Sequence, residues 1–496
     1  MASTGGGASL PTVLSQDGDY AARLNGKDLV IHTGSAVQSP RVLGIIKLKE
    51  PLASQAKFLK FSHSFSCEPE NAEELVLVPR QHLLCATDVR VSVWQLHPLK
   101  WHAEIENVEP GLTYVDFGGN ENEIICFHSW NTKMTIFTLD TSRSQLVIKS
   151  PKFSHPNGYG YRPRTRQLAV LLKPDANDVL TIHEAQTYEL IARAVLPTVD
   201  AQGLKWSPDG RWIAVWETAS AGTKVLIYTA DGQLFRAYTA PADSDSGYDL
   251  GVRTIEWSPA TGPGRSSGYL AVAKFDGTVD ILNSRTFSCS TSLSHTFHID
   301  QHFPSIWRER YSNAGGDLEY AEVSSSSAFT APADSSGLPR GISMVVFSFD
   351  GSLLATVDQS RPNVVWIWSL GNAPRLQSAL VHEHSVRQLS WHPSKPELLI
   401  STSNSAVAAV HLWSLDRDPI IARVPIARSE AGKYEVSWVK TDRPGHSLFW
   451  FGTPEEYALG TLALQEGNAQ FNVLYVVNSN VDANSFDIMT ISQYAT

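Results

Sequence analysis

The sequence is poor in cysteine, the residue that holds many small domains together. Four cysteines occur in 496 residues, and they stand singly at Cys67, Cys85, Cys126 and Cys289, with no C-x-x-C pair. This spacing argues against both a disulfide framework and a zinc site. A chain of this length buries roughly three quarters of the surface that its unfolded form exposes, so its core needs neither. We expect a reducing, intracellular environment.

Long apolar runs and a positive net charge are also missing. No apolar stretch approaches the roughly eighteen residues that a membrane-spanning helix needs. The start, MASTGGGASLPT, has neither the basic region nor the apolar core of a signal peptide. The formal charge of −10, with a pI near 5.9, gives no general attraction to phosphate backbones or anionic membranes. We therefore expect a soluble protein whose partners are neither nucleic acid nor membrane.

The usual signatures of catalysis are missing as well. The sequence has no G-x-S-x-G nucleophile elbow and leaves no room for a separate hydrolase domain. The glycines Gly5–Gly7 precede Ala-Ser, whereas a phosphate-binding loop continues with Gly-Lys-Ser/Thr. His382 and His384 are close enough in sequence to share a metal ion, but no third ligand stands at a useful spacing. We expect a protein without enzymatic activity, metal or cofactor.

What the sequence does contain is a repeated pattern of short apolar strands and tight turns. The clearest copy is GLKWSPDGRWIAVWE followed by TKVLIYTADG. Taking the last residue of each third strand as a marker, the series is His32, Trp94, Phe137, His183, Tyr228, Leu282, Trp368, Trp413 and Gly460. Most markers are 43 to 47 residues apart, which is the period of a four-stranded propeller blade, and the longer gaps hold insertions.

The turns and strand compositions support the same fold. Ser207-Pro208-Asp209-Gly210 suits a type I turn, and Asp-Gly recurs beside apolar alternations that are typical of hairpins. Runs such as VVWIW are rich in β-branched and aromatic residues, while helical periodicity is almost absent. The sequence therefore predicts an all-β protein, a WD40-type β-propeller of about nine repeat units. These units form either one large ring or two smaller or irregular rings.

The domain boundaries follow from where the period holds. We expect residues 1–8 to be a flexible N-terminus and residues 9–465 to be the propeller, interrupted by a polar insertion at 296–340 that is too polar for a blade. Residues 466–496 form a tail that either completes the last blade or hangs free. Because an open ring exposes two sheet edges, residues near 10–14 or the tail after 470 should pair with the terminal blade.

Aromatic residues before the first tight turn of the strong copies give a packing prediction. These residues should be buried at equivalent places in their blades: Trp206, Trp257, Phe347 and Trp391. The Trp-Asp of ordinary WD repeats is missing, because the corresponding ends read Trp94-Gln95, Trp368-Ser369 and Trp413-Ser414. We expect His384 and Ser385 to retain part of the hydrogen-bond network that the aspartate would have joined.

Two basic patches are the candidate binding sites. Arg162, Arg164 and Arg166 fall within five residues and are either solvated loop charges or a contact for an acidic partner. The second patch lies inside the insertion, where Trp307 and Tyr311 flank the arginines Arg308 and Arg310. Aromatic residues with arginine are typical of interface anchors, so we expect these four residues to bind a partner. The alternative is that they fold back and cover the side of the propeller.

Several motifs together resemble one family. These are WSPDG followed by WIAVW, then LAVAKFDGTVDILN, then FSFDGSLLATVDQSRPNVVWIWSL after a polar insertion. In their order they are similar to the centrosomal and spindle-pole WD-repeat family called the WD repeat protein eight family. The resemblance runs from about residue 9 to 465 and is strongest over 200–285 and 340–415.

The resemblance implies a non-enzymatic scaffold at the microtubule-organising centre, a spindle pole body or centrosome. Such a scaffold would bind a coiled-coil anchoring protein, tether microtubule minus ends and support spindle organisation, together with a minus-end-directed kinesin. The family implies no catalytic residues. The alternative is a large propeller of the translation-initiation-factor type, which would contact ribosome or RNA, although the acidic composition disfavours it.

Overall fold

The computed structural model describes most of the chain. The described residues are 10, 12–33, 41–50, 52–62, 81–96, 99–106, 108–109, 111–240, 249–260, 268–295, 305–312, 318–323, 341–371, 374–404, 406–424, 434–439, 447–453, 456–465 and 468–478. The expected flexible N-terminus, residues 1–8, lies outside them. Within these ranges, no helix is long and apolar enough to cross a membrane.

Nine four-stranded antiparallel units, the blades, follow one another along the chain. Blades 1 to 3 contain β1 (Val13–Leu14), β2 (Tyr20–Asn25), β3 (Asp28–Thr33), β4 (Arg41–Lys47), β5 (Phe58–Phe61), β6 (His82–Ala86), β7 (Val91–Leu96), β8 (Leu99–Ile105), β9 (Leu112–Phe117), β10 (Glu123–His128), β11 (Lys133–Thr138) and β12 (Arg143–Lys149). Blades 4 to 6 contain β13 (Tyr159–Tyr161), β14 (Leu168–Leu172), β15 (Val179–His183), β16 (Leu190–Val195), β17 (Gly203–Trp206), β18 (Trp212–Trp216), β19 (Lys224–Thr229), β20 (Leu234–Thr239), β21 (Val252–Trp257), β22 (Tyr269–Lys274), β23 (Thr278–Asn283) and β24 (Cys289–Ser294).

A hairpin of two further strands, β25 (Ser305–Tyr311) and β26 (Leu318–Glu322), precedes blade 7. Blades 7 to 9 contain β27 (Ile342–Phe347), β28 (Leu353–Asp358), β29 (Val364–Ser369), β30 (Arg375–Val381), β31 (Val386–Trp391), β32 (Glu397–Thr402), β33 (Ala409–Ser414), β34 (Arg417–Arg423), β35 (Glu435–Val439), β36 (Leu448–Gly452), β37 (Glu456–Gln465) and β38 (Asn468–Asn478). The helical segments of the described residues are one turn each: α1 (Leu52–Gln55) and three 3-10 turns at Ser129–Asn131, Pro156–Gly158 and Ala219–Ala221.

The third strand of every blade contains its predicted marker residue, from His32 in β3 to Gly460 in β37. At that residue the pairing with the fourth strand shifts register in all nine blades. A β-bulge of this kind bends the strand and increases its local twist. The sequence period therefore marks a real structural repeat, and the prediction of an all-β propeller with about nine units is confirmed.

Apolar packing closes the blades into one ring. Nine buried clusters each join two consecutive blades, and the last of them joins blade 9 to blade 1. At that closing interface the turn before β2 touches β35, because a Cβ on Gly18 would lie 2.2 Å from Cγ1 of Val439. Of the two arrangements left open by the sequence, the structure has the single large ring.

Among the described residues, no strand is exchanged between the ends of the ring. β1 pairs with β2 inside blade 1, and β38, which belongs to the segment expected to be a tail, pairs with β37 as the fourth strand of blade 9. The part of the tail up to Asn478 thus pairs with the terminal blade, whereas residues 13–14 do not. Side-chain packing across the interface, including the edge-on contact of His32 and Tyr457 at 6.0 Å, holds the two ends together.

The four predicted aromatic residues occupy equivalent places. Each is buried at the end of the first strand of its blade, in blades 5 to 8. The indole N–H of Trp206 donates to the Gly160 carbonyl at 3.0 Å, which lies in the first strand of the preceding blade. Trp257 donates in the same way at 3.2 Å and Trp391 at 2.9 Å. This repeated contact explains why the aromatic residue recurs, and the prediction is confirmed.

A hydrogen-bond network does survive without the Trp-Asp motif, but His384 is not part of it. The Trp368 indole N–H donates to the Thr356 hydroxyl at 3.0 Å, and Nε2 of His295 lies 2.7 Å from the same hydroxyl. Burial lowers the pKa of His295 to about 4, so this imidazole is neutral at pH 7. His384 precedes blade 8, and the expectation that placed it in such a network was wrong, because its side chain is exposed.

Candidate partner-binding hairpin

The described part of the insertion is an added piece of sheet. β25 pairs in parallel with β30, the fourth strand of blade 7, from Ser305 opposite Ser378 to Arg308 opposite Val381. β26 then pairs antiparallel with β25, so blade 7 becomes a six-stranded sheet. We had expected the whole insertion to be too polar for a blade. Its two short alternating segments nevertheless extend one, because their apolar side chains find partners on blades 7 and 8.

Apolar side chains fasten the hairpin to the ring. Trp307 and Tyr320 are partly buried against the cluster that fills the interface between blades 7 and 8. Leu318 is buried with Ala409 and Ile421 of blade 8. The hairpin therefore covers the side of the propeller where these two blades meet, and Trp307 faces the protein interior.

Four polar side chains form a buried cluster beneath the hairpin. The Tyr320 hydroxyl lies 2.7 Å from Nε2 of His382, whose Nδ1 lies 3.1 Å from the Asn363 carbonyl. Because a carbonyl can only accept, Nδ1–H donates to it and Nε2 accepts from Tyr320. The His382 and His411 rings meet edge-on at 4.8 Å. Both nitrogens of His382 are thus occupied by groups that fix the neutral imidazole.

Glu309 completes this cluster from the middle of β25. Its side chain is 1 % exposed; Oε2 accepts the backbone N–H of Glu383 at 3.1 Å, and Oε1 lies 3.6 Å from Nε2 of His411. Burial alone would raise its pKa, but His411, His382 and the Glu383 amide outweigh burial and lower the pKa of Glu309 to about 2. Burial likewise lowers the pKa of His382 to about 3. The hairpin thus rests on a carboxylate that is ionised at pH 7 and on a neutral histidine.

The far end of the hairpin points to solvent. Tyr311 is 55 % exposed, and Arg310 lies beside it with an exposed guanidinium that pairs with Glu319 at 2.9 Å. Arg308 is partly exposed. Of the four predicted contact residues, Arg308, Arg310 and Tyr311 therefore remain accessible to a partner, whereas most of Trp307 is used inside the molecule. Position accounts for part of this difference, since Trp307 and Arg308 fall where β25 pairs with both neighbouring strands, whereas Arg310 and Tyr311 pair with β26 alone.

The other basic patch holds blades together. Nε of Arg166 donates to the Gly119 carbonyl in blade 3 at 2.8 Å, and Nε of Arg162 donates to the Gly210 carbonyl in blade 5 at 2.7 Å. Arg164, the middle residue, is exposed. Arg162 and Arg166 therefore link blade 4 to its two neighbours. They are neither solvated loop charges nor contacts for an acidic partner.

The histidines do not assemble a metal site in the described part of the chain. No group of three or more His, Cys, Asp or Glu side chains there has an arrangement that could hold a metal ion. His382 uses both ring nitrogens within the protein, and His384 is exposed on the surface. The outer end of the hairpin instead presents an exposed arginine and an exposed tyrosine on a sheet.

Comparison with known proteins agrees with the fold. No family model matches the chain. The chain is 29 % identical over 357 residues to the WD repeat-containing protein WRAP73 of Mus musculus, covering 67 % of this chain and 73 % of that protein. It is 25 % identical over 415 residues to an uncharacterised WD repeat-containing protein of Schizosaccharomyces pombe, covering 80 % of this chain and 78 % of that protein.

Two solved structures superpose on the chain, and the one with the higher TM-score supports the fold. Sqt1 of Saccharomyces cerevisiae superposes with a TM-score of 0.50 at 10 % identity, covering 75 % of this chain and 90 % of that one. The C-terminal WD40 domain of Sif2 superposes with a TM-score of 0.45 at 9 % identity, covering 80 % and 95 %. The chain is a nine-bladed WD-repeat β-propeller, and its resemblance to the WD repeat protein eight family is confirmed by its similarity to WRAP73.

Proposed function

We propose that this chain is a non-enzymatic scaffold of the microtubule-organising centre, at a spindle pole body or centrosome. It binds a coiled-coil anchoring protein, tethers microtubule minus ends with a minus-end-directed kinesin, and supports spindle organisation. The observation that carries the proposal is the match of motif order and insertion position to the WD repeat protein eight family, together with the similarity to WRAP73 over 67 % of the chain.

The structure is compatible with a scaffold in two respects. The ring is closed by nine interfaces, which makes it a rigid platform, and rigid platforms commonly place function on the segments that project from them. The hairpin is such a segment, and its outer end presents Arg310 and Tyr311. Both residue types are enriched where protein interfaces concentrate their binding energy.

The test is the position of the tagged full-length chain in dividing cells, recorded together with γ-tubulin. We expect one focus at each spindle pole, and we expect these foci to remain after microtubules are depolymerised, because a pole component does not depend on the polymer. A diffuse signal, or foci that vanish with the microtubules, would contradict the proposal. Co-sedimentation with ribosomes that survives moderate salt would favour the translation-initiation-factor alternative.

A further inference from the structure

Exposed apolar side chains are concentrated on one arc of the ring. Among the described residues, six of the fourteen large hydrophobic side chains that face solvent lie on the fourth strands of blades 3 to 5, on the circumference. These six are Val147 on β12, Leu190, Ile191 and Val195 on β16, and Leu234 and Phe235 on β20. Single exposed apolar residues are normal on a protein surface, but adjoining ones mark an interaction site.

Neighbouring strands of this arc are in contact, so the apolar residues form one surface. The turn before β20 packs on β16, since a Cβ on Gly232 would lie 2.8 Å from Cβ of Ala192. Phe235 lies 4.6 Å from the Trp212 ring, and both rings contact Phe287 of blade 6. The contacts with Trp212 and Phe287 thus hold the Phe235 ring in place at the surface. We call the exposed residues of β16 and β20 the apolar rim.

The charge on the three strands of this arc has one sign. β12, β16 and β20 carry Arg143, Lys149, Arg193 and Arg236, all exposed, and no aspartate or glutamate; exposed acidic residues stand in the turns before β16 and β20, at Glu189 and Asp231. The whole chain, by contrast, has a formal charge of −10. Strands that combine apolar and basic side chains are complementary to a partner that is apolar and acidic.

The form of the partner follows from the strand arrangement. An extended peptide that paired with the free edge of one fourth strand would reach the apolar residues of a single blade. The exposed residues lie on separate strands in neighbouring blades, so a partner must cross those strands to cover them. An amphipathic helix does this with side chains three and four residues apart. We propose that the apolar rim binds an acidic amphipathic helix of a protein partner, independently of the cellular role proposed above.

Two simpler explanations make different predictions. Charged residues on a sheet edge also prevent aggregation, and for that purpose a glutamate serves as well as an arginine. An anionic membrane would also meet apolar and basic groups, but a chain of net charge −10 is repelled by it. The proposal requires that binding depend on the sign of the rim charge.

The experiment measures the binding of labelled helical peptides to the purified full-length chain by fluorescence anisotropy. One peptide of about 18 residues has leucine along one face and glutamate elsewhere, a second has lysine in place of glutamate, and a third keeps the composition but scatters the leucines. We expect the first peptide to bind about tenfold more tightly than either of the others. The variant R193E/R236E should weaken its binding about tenfold.

Matched controls lie elsewhere on the ring. Arg375, an exposed arginine on β30, is the charge control, and R375E should change the affinity by less than about twofold, because screened charges act over short distances. The variant L190S/L234S should also weaken binding. Leu415 in blade 8 is 44 % exposed and is the apolar control, so Leu415→Ser should not weaken binding. Equal binding of the three peptides, or unchanged affinity of R193E/R236E, would overturn the proposal. If the chain bound vesicles with about 30 % phosphatidylserine and did not bind the glutamate peptide, the partner would be a membrane and the proposal would be overturned.

Discussion

The fourth strand of blade 7 and those of blades 4 and 5 differ in whether another part of the chain covers them. On blade 7 the chain supplies its own cover, because β25 pairs with β30 and brings Trp307 and Tyr320 onto the interface with blade 8. On blades 4 and 5 no strand of the described part of the chain covers the fourth strands, and Leu190 and Leu234 are 55 % and 48 % exposed. A fourth strand that is covered from within becomes part of the core, and one that is left open stays available to another molecule.

Because the hairpin covers blade 7 by packing against it, substitutions beneath the hairpin should lower its stability. The largest loss should come from substitution of Glu309. In Glu309→Ala the Glu383 amide loses its acceptor and the buried carboxylate beside His411 is removed, and loss of a buried charged group from its contacts typically costs about 3–5 kcal/mol. We expect β25 and β26 to detach while the nine blades stay folded. Hydrogen exchange of the Ser305–Tyr311 amides measures this loss.

The control for Glu309 is Glu319 in the same hairpin, whose pairing with Arg310 is exposed. Glu319→Ala should change the protection of the hairpin by less than about 1 kcal/mol, as exposed ion pairs do. Equal effects of the two substitutions would show that the buried cluster does not fasten the hairpin.

The next largest effect separates the two aromatic residues of β25. Trp307→Ala removes packing against the interface of blades 7 and 8 and should cost about 2–4 kcal/mol of local stability. Tyr311→Ala, at the exposed end, should cost less than about 0.5 kcal/mol. Both values can be read from the same exchange experiment. If Tyr311→Ala cost as much as Trp307→Ala, the division of the hairpin into an inner and an outer half would be wrong.

This division shows where prediction from the sequence succeeded and where it failed. The blade period was readable because the residue at the bulge of each third strand is mostly aromatic, from Trp94 to Trp413. The parallel pairing of β25 with β30 was not readable, because it joins residues some seventy positions apart and leaves no turn signal. Nothing in the sequence marks Glu309 as buried, because its surroundings include His382, which follows β30, and His411 in β33.

The arginines of blade 4 illustrate the same limit. Arg162 and Arg166 are conspicuous in the sequence as charges, yet their partners are backbone carbonyls, and carbonyls leave no trace in a sequence pattern. The choice between one ring and two was likewise beyond the sequence. It depends on whether blade 9 packs on blade 1, which the cluster around Val439 and Trp450 shows.

Lowering the pH should destabilise the hairpin on blade 7 and leave β20 of blade 5 unchanged. The pKa of His382 is lowered to about 3 in the folded protein, below its ordinary value near 6.5, so the unfolded hairpin binds more protons between these values. The contribution of neutral His382 to the stability of the hairpin is therefore present above about pH 6.5 and is lost as the pH falls towards 3. Glu309, with a pKa of about 2, adds a loss only below about pH 4.5.

We therefore expect faster exchange of the β25 and β26 amides at pH 5 than at pH 7, after correction for the intrinsic rate. The groups that face His382 are Tyr320, Glu309 and His411. The β20 amides should show no such change, because neither β20 nor its partner strand β19 contains a histidine. His382→Gln should make the hairpin insensitive to pH in this interval, and a pH response that persists in this variant would assign it to another group.

The smallest effect is expected on the apolar rim. In L190S/L234S the side chains are already exposed in the folded chain, so the free energy of unfolding should change by less than about 0.5 kcal/mol. Thermal denaturation of the variant and of Leu415→Ser provides the comparison. A large destabilisation by the rim substitutions alone would mean that these residues pack within the ring and are not free for a partner.

The inner half of the hairpin belongs to the fold, and we propose that its outer half binds a partner at the spindle pole. This claim is tested most directly by the variant R310E/Y311S, measured for melting temperature as purified protein and for spindle-pole localisation in dividing cells. We predict an unchanged melting temperature and loss of the polar foci, whereas R375E keeps both. Polar foci of wild-type intensity in R310E/Y311S, at normal abundance, would contradict the claim.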